Sequence, residues 1–144
     1  MIAHAGLIAR RVSSGWQGVL IEGPSGSGKS TLALRALEAG WRLVADDRVL
    51  LWTSGGGLYG RAPDALSGLV EARGVGVLRE PALPLARIAL AVACAATAVT
   101  VERLPDSTWT ERLGIAIPAL ALWPFDPAAL AKLSRAADHL GAGR

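Results

Sequence analysis

Gly23-Pro24-Ser25-Gly26-Ser27-Gly28-Lys29-Ser30 completes the pattern G-x-x-x-x-G-K-[ST] of a phosphate-binding loop. The residues before it, Gly18-Val19-Leu20-Ile21-Glu22, read as a buried strand, and Thr31 to Ala39 carry the spacing of a helix. That context is what the motif requires, because loop amides and a helix N-terminus must point together at one anion. The glycines let the backbone approach the phosphates, Lys29 reaches the terminal ones, and the Ser30 hydroxyl can ligate Mg²⁺. Residues Gly23 to Ser30, with Thr31 behind them, form the expected nucleotide-binding set. A Gly/Ser turn capping an ordinary helix is the alternative, and it leaves Lys29 unexplained in a chain with only two lysines, Lys29 and Lys132. The loop points to a nucleoside triphosphate.

The 144 residues fit one domain, residues 1–144, with a single core. The net charge of +3 comes from 13 arginines and 2 lysines against 12 acidic residues, and no basic run or aromatic-interleaved stripe suggests nucleic acid. Ile88 to Val101 is uncharged, but its 14 residues fall short of the roughly 20 that a membrane-spanning helix needs. It reads instead as a buried parallel or mixed-sheet strand followed by small residues, with no membrane role. The single cysteine, Cys94, lies in that apolar run and reads as a small buried hydrophobe. The N-terminus lacks the basic region and apolar core of a signal peptide, so a cytoplasmic protein is expected.

Residues 4 to 22 suggest a hairpin, with Leu7-Ile8-Ala9 and Gly18 to Ile21 as strands around Ser13-Ser14-Gly15. The helix from Ser30 to about Glu38 ends at Gly40. Arg42 to Ala45 makes a short strand ending at Asp46-Asp47. Val49 to Trp52 and Leu58 to Arg61 pair around a tight Gly55-Gly56-Gly57 turn. Leu66 to Leu78 is punctuated by glycines, Arg87 to Ala93 is a central strand, and Ile115 to Leu122 a further one. Pro127 to Leu140 closes the chain as an amphipathic helix. Hairpins with few helices argue for an α/β fold with a mixed sheet, not for regular strand–helix alternation.

Gly23-x-Ser25-Gly26-x-Gly28-Lys29-Ser30, then Gly40-x-Arg42-Leu43-Val44-Ala45-Asp46-Asp47, then Glu71-x-Arg73-Gly74-x-Gly76 resembles the catalytic domain of HPr kinase/phosphorylase. The resemblance runs from His4 to about Gly114 and looks like a short form without the extra N-terminal domain of larger members. It implies a bacterial, ATP- and Mg²⁺-dependent serine kinase whose protein substrate is the phosphocarrier HPr, and a homo-oligomer of hexameric form. It implies that Asp47 is the general base, with Asp46 supporting it or the metal. Glu71 stands where the family places a Mg²⁺ ligand, to be shared with Ser30. His4 matches a histidine that assists the base, although the family's His-Gly is His4-Ala5 here. Arg112 matches a downstream catalytic arginine that neutralises the transferring phosphoryl group.

One departure concerns the family's Arg/Gly/Asn loop, associated with its phosphorolysis reaction. Ala121-Leu122-Trp123-Pro124-Phe125-Asp126-Pro127 stands in its place without those arginines, which puts phosphorolysis in doubt more than the kinase reaction. Trp123 and Phe125 read as an aromatic–proline turn or as exposed contact residues. A small-metabolite kinase and a non-catalytic ATP-binding regulator are the rival readings. The Asp46-Asp47 and Glu71-x-Arg73-Gly74 motifs oppose the first, and an intact Asp47 and Glu71 oppose the second.

Overall fold

A computed structural model describes residues 1–140. Its framework is a mixed sheet organised around β9 (Ala86–Cys94), which runs parallel to β3 (Gly15–Glu22) and to β11 (Ile115–Leu122). β2 (Ala5–Val12) pairs antiparallel with β3 as the predicted hairpin, Val12 facing Gly15 and Ala5 facing Glu22. Beyond β2 lies β4 (Arg42–Ala45), the strand that delivers the two aspartates. On the other side of β9 the path continues through β6 (Gly57–Arg61) and β5 (Val49–Ser54) to β1 (Ile2–Ala3). β10 (Thr108–Arg112) pairs antiparallel with β11, and β7 (Leu69–Ala72) with β8 (Gly76–Arg79) makes a separate hairpin. Sequence reasoning did not anticipate β1 or β10, and it left β7 and β8 as a glycine-punctuated stretch.

Alternation along the central strands sorts side chains onto two faces. Leu7 and Leu20 join Val49, Leu51, Leu58, Ile88 and Ile117 in one buried cluster, which the β1–β5–β6 side of the sheet encloses. Ile8, Val19, Ile21, Leu90 and Val92 face the other way and pack against both helices, α1 (Lys29–Glu38) and α2 (Ala129–Leu140). In α1 the buried residues Leu32, Ala33 and Ala36 follow helical spacing, as do Ala129, Leu133 and Ala137 in α2. Buried Gln17 adds a polar tie: its Nε2 donates to the Ala137 carbonyl at 3.0 Å, and its Oε1 accepts from Arg10 Nε at 2.7 Å.

The end of α1 is fixed by its glycine. Gly40 has φ +95°, and the Trp41 and Gly40 amides donate back to Ala36 and Leu37 at 3.0 and 3.2 Å. This double closure is the left-handed helix stop that glycine permits. It turns the chain directly into β4, with Trp41 buried below it.

Candidate active site

The site is built where β3 ends. Glu22 leads into the loop at Gly23, and α1 begins at Lys29 with neither an acidic residue in its first turn nor a side-chain cap. Its leading amides are therefore open to an external anion, the arrangement that a helix dipole favours. Gly28 has φ +101°, and a side chain there would come within 2.7 Å of Pro124, so only glycine fits. Lys29 folds back over the loop, its Nζ donating to the carbonyls of Gly23 at 2.6 Å and Pro24 at 3.1 Å.

The two aspartates after β4 divide sharply. Asp46 is buried and both carboxylate oxygens are engaged: Oδ1 accepts from the Ser30 hydroxyl at 3.0 Å, and Oδ2 from the Glu71 amide at 2.9 Å. It thereby ties the phosphate loop to the β7–β8 hairpin. Asp47 points outward, with its side chain 57% exposed, in a left-handed backbone conformation of φ +69°. Asp tolerates that conformation better than most residues, and strained backbone of this kind concentrates at functional sites. His4, in the break between β1 and β2, brings Nδ1 to 3.7 Å from Asp47 Oδ1, and Arg48 Nε stands 3.8 Å from Oδ2.

A cavity of about 200 Å³ joins these parts. Ser25, Gly26, Gly28, Lys29, Ser30 and Thr31 line one wall, and Asp47, Glu71 and Arg73 bring carboxylates and a guanidinium to the same space. Leu34 and Phe125 complete the lining with apolar surface. Gly23, Pro24 and Ser27 are outside the lining; the first two hold Lys29 through their carbonyls, and Ser27 is half-buried. Arg112 is not among the lining residues either. Its Nη2 lies 2.8 and 2.9 Å from the two Glu22 carboxylate oxygens, at the root of the loop.

The donor set for a cation is hard oxygen: the Ser30 hydroxyl, the Asp46 carboxylate bonded to it, and the Glu71 carboxylate in the cavity. Among the described residues no group of three acidic, histidine or cysteine side chains forms a metal cage of its own. Hard oxygens such as these suit Mg²⁺, which is commonly held together with phosphate oxygens and water.

Cys94 lies behind the loop, close enough that a side chain at Gly23 would meet its Cβ at 2.9 Å. Burial pushes its thiol up. Ser27 and Lys29 oppose the shift weakly, although the Ser27 hydroxyl is buried without a hydrogen-bond partner of full geometry among the described residues.

Sequence reasoning missed Glu22, Leu34 and the contact of Pro124 with Gly28. Glu22 looked like the polar end of a strand, and its partner is 90 residues away. Nothing local announces such a pair. Trp109, on β10, is 58% exposed.

The chain resembles the HPr kinase/phosphorylase of Clostridium tetani, 38% identical over 98 residues that make up 68% of this chain and 32% of that protein. The enzyme of the same name from Brevibacillus brevis is 53% identical over 62 residues, 42% of this chain and 20% of that one. The chain thus spans a third or less of the length of these curated relatives. The fold matches the solved HPr(Ser) kinase/phosphatase of Coxiella burnetii with a TM-score of 0.76, over 94% of this chain and 90% of that one, at 23% identity. No helix of the described residues is long and apolar enough to cross a membrane. The model of the HPr Serine kinase C-terminal domain matches residues 12–83, half of the chain, and the protein belongs to that family.

Proposed function

We propose that this chain is an ATP-dependent serine kinase unit that transfers the γ-phosphoryl group to a seryl hydroxyl of HPr. The carrying observation is that the exposed Asp47 carboxylate opens into the same cavity as Lys29 and Ser30. A base and a phosphate cradle so joined suit phosphoryl transfer, where positioning and charge neutralisation supply most of the rate. The names of the relatives support HPr as the acceptor.

In the proposed reaction the loop amides and Lys29 hold the triphosphate, Lys29 exchanging its two backbone carbonyls for phosphate oxygens. The seryl oxygen attacks the γ-phosphorus, its proton passes to an Asp47 carboxylate oxygen, and the β–γ bridging bond breaks to leave ADP. His4, with Nδ1 at 3.7 Å from Asp47 Oδ1, is the residue proposed to assist that base. Asp46 stays outside the proton transfer, because both its oxygens are already hydrogen-bonded. Ser30 and Glu71 would hold Mg²⁺, whose charge would offset that of the bound triphosphate. Arg73 lines the cavity and adds positive charge there, whereas Arg112 acts from the root of the loop through its position on Glu22.

The test is the intact mass of purified HPr after incubation with this protein and Mg-ATP, beside a Lys29→Ala control. One added phosphoryl group, mapped to serine and absent with the variant, is the expected result. Unmodified HPr in the presence of bound ATP would reject the reading in favour of a nucleotide-binding regulator.

A further inference from the structure

The turn between β11 and α2 lies against the phosphate loop. Pro124 is buried, and an added side chain at Gly28 would stand 2.7 Å from Pro124 Cβ and 3.2 Å from Phe125 Cε2. Phe125 nevertheless remains 45% exposed and lines the same cavity as Lys29 and Ser30. An aromatic ring at a surface ordinarily turns to cover itself. Here the backbone is pinned from several sides. Arg35 of α1 donates to the Asp126 carbonyl at 2.8 Å and to the Pro124 carbonyl at 3.4 Å, and the Asp126 amide closes the turn onto the Trp123 carbonyl at 3.1 Å. The Asp126 carboxylate accepts from the Ala128 amide at 2.9 Å and pairs with Lys132, which locks the turn to the start of α2.

We propose that Phe125, with Leu34 beside it in the cavity lining, is the surface on which the base of the bound nucleoside triphosphate rests. The inference deepens the nucleotide reading of the phosphate loop and rests on it. The polar groups of the cavity are already assigned by chemistry: Asp47 and Glu71 belong with the acceptor hydroxyl and the cation, and Arg73 and the loop belong with the phosphates. What remains is an apolar wall beside the loop backbone itself. The part of the ligand joined covalently to the phosphates is a nucleoside, and a flat aromatic base finds on this wall an aromatic ring and an aliphatic side chain. The acceptor seryl group must instead come to Asp47. Stacking of this kind tolerates different bases, so the wall selects nucleotides over bare polyphosphates more than it selects among nucleotides.

The experiment compares two probes that share the triphosphate charge and differ in the base, ATP and inorganic tripolyphosphate. Dissociation constants are measured by calorimetry for the unmodified chain, Phe125→Ala and Phe125→Trp. Phe125→Ala is expected to weaken ATP at least about fivefold while leaving tripolyphosphate unchanged, and Phe125→Trp to retain ATP binding. Equal loss of both probes would overturn the assignment, because it would mean that the turn merely supports Gly28. Unchanged ATP affinity in Phe125→Ala would overturn it as well. If the unmodified chain binds neither probe, the nucleotide reading itself fails. An effect confined to the KM for HPr would give the ring to the protein substrate instead.

Discussion

Arg112 grips Glu22 across 90 residues of sequence, with its Nη2 at 2.8 and 2.9 Å from the two carboxylate oxygens and its Nε at 3.3 Å from one of them. Both side chains are only about a quarter exposed. Glu22 is the last residue of β3 before the phosphate loop, and Arg112 the last of β10 before the tight turn into β11. The pair thus fastens the β10–β11 hairpin to the root of the loop. Charge-assisted, forked pairs are the stronger class of hydrogen bond, and partial burial limits their screening.

A double-mutant cycle with Glu22→Gln and Arg112→Ala measures that fastening. Urea unfolding of the four proteins should give a coupling energy of about 1–3 kcal/mol. Either single change should also slow phosphoryl transfer, because Arg112 loses its position beside the loop. A coupling near zero would mean that the two groups are solvated independently and that the pair plays no part in shaping the site.

The aspartates should separate into a structural and a chemical role. Asp46→Ala leaves the Ser30 hydroxyl and the Glu71 amide without their acceptor, and should lower stability by about 1–3 kcal/mol. Asp47→Asn keeps a residue that tolerates φ +69° and should leave stability within about 0.5 kcal/mol of the parent. Transfer to HPr should nonetheless fall by about 10² to 10⁴-fold, the usual contribution of a positioned general base. Thermal melts beside turnover assays separate the two effects. An Asp47→Asn variant of normal activity would remove Asp47 as the base.

Where the chemistry is local, the residues announced it. The phosphate loop, the hairpin around Ser13 and Ser14, the Gly40 helix stop and the Gly55-Gly56 turn each depend on a few neighbouring residues. Each formed near where its sequence pattern indicated, although Gly15 and Gly57, read as turn residues, begin β3 and β6. The triple partnering of β9 and the pairing of Glu22 with Arg112 depend on which strands meet in space, and periodicity carries no such information. The division between Asp46 and Asp47 was half legible. Adjacent residues on an extended chain point to opposite sides, but which one faces Ser30 is fixed only by the left-handed turn at Asp47. The role of Phe125 was the least legible, since an aromatic–proline turn looks alike whether it covers a core or a cavity.

The β10–β11 turn carries a removable strain. Leu113 and Gly114 are its two central residues, with φ +51° and +79°, between the paired Arg112 and Ile115. A branched apolar residue is poorly suited to a left-handed position, whereas Asn-Gly is the preferred pair for this turn. Leu113 is also 46% exposed, so little packing is lost on replacement. Leu113→Asn should raise stability by about 0.5–1 kcal/mol in urea unfolding, with Arg112 undisturbed and transfer to HPr unchanged. Destabilisation would show that Leu113 makes a contact outweighing its backbone strain.

Cys94 offers a reporter for the loop. Burial holds its thiol above the ordinary range, so the reactive thiolate is scarcer at neutral pH than in an exposed cysteine. Alkylation by iodoacetamide should be slow near pH 7 and accelerate only above the usual thiol range. Mg-ATP should slow it further by stabilising the loop in front of it. Rapid alkylation at pH 7, insensitive to nucleotide, would mean that the loop does not cover the sulfur.

The turn that carries Phe125 should respond to acid through Asp126. Its carboxyl is held below the ordinary carboxylate range, first by Lys132 and then by the Ala128 amide. A depressed native value means that the folded state favours the ionised form, so the contribution is complete above the unfolded value of about 4. It is lost as pH falls through the lower native value, when protonation releases Lys132 and weakens the acceptor for Ala128. Asp126→Asn removes the titration. The melting temperature of the parent should therefore exceed that of Asp126→Asn at pH 7, and the gap should narrow steadily below pH 4. Amide exchange at Ala128 should quicken over the same range in the parent alone. A gap independent of pH would mean that Asp126 acts by shape and hydrogen bonding without its charge. The acid sensitivity of the Phe125 wall would then have to lie elsewhere.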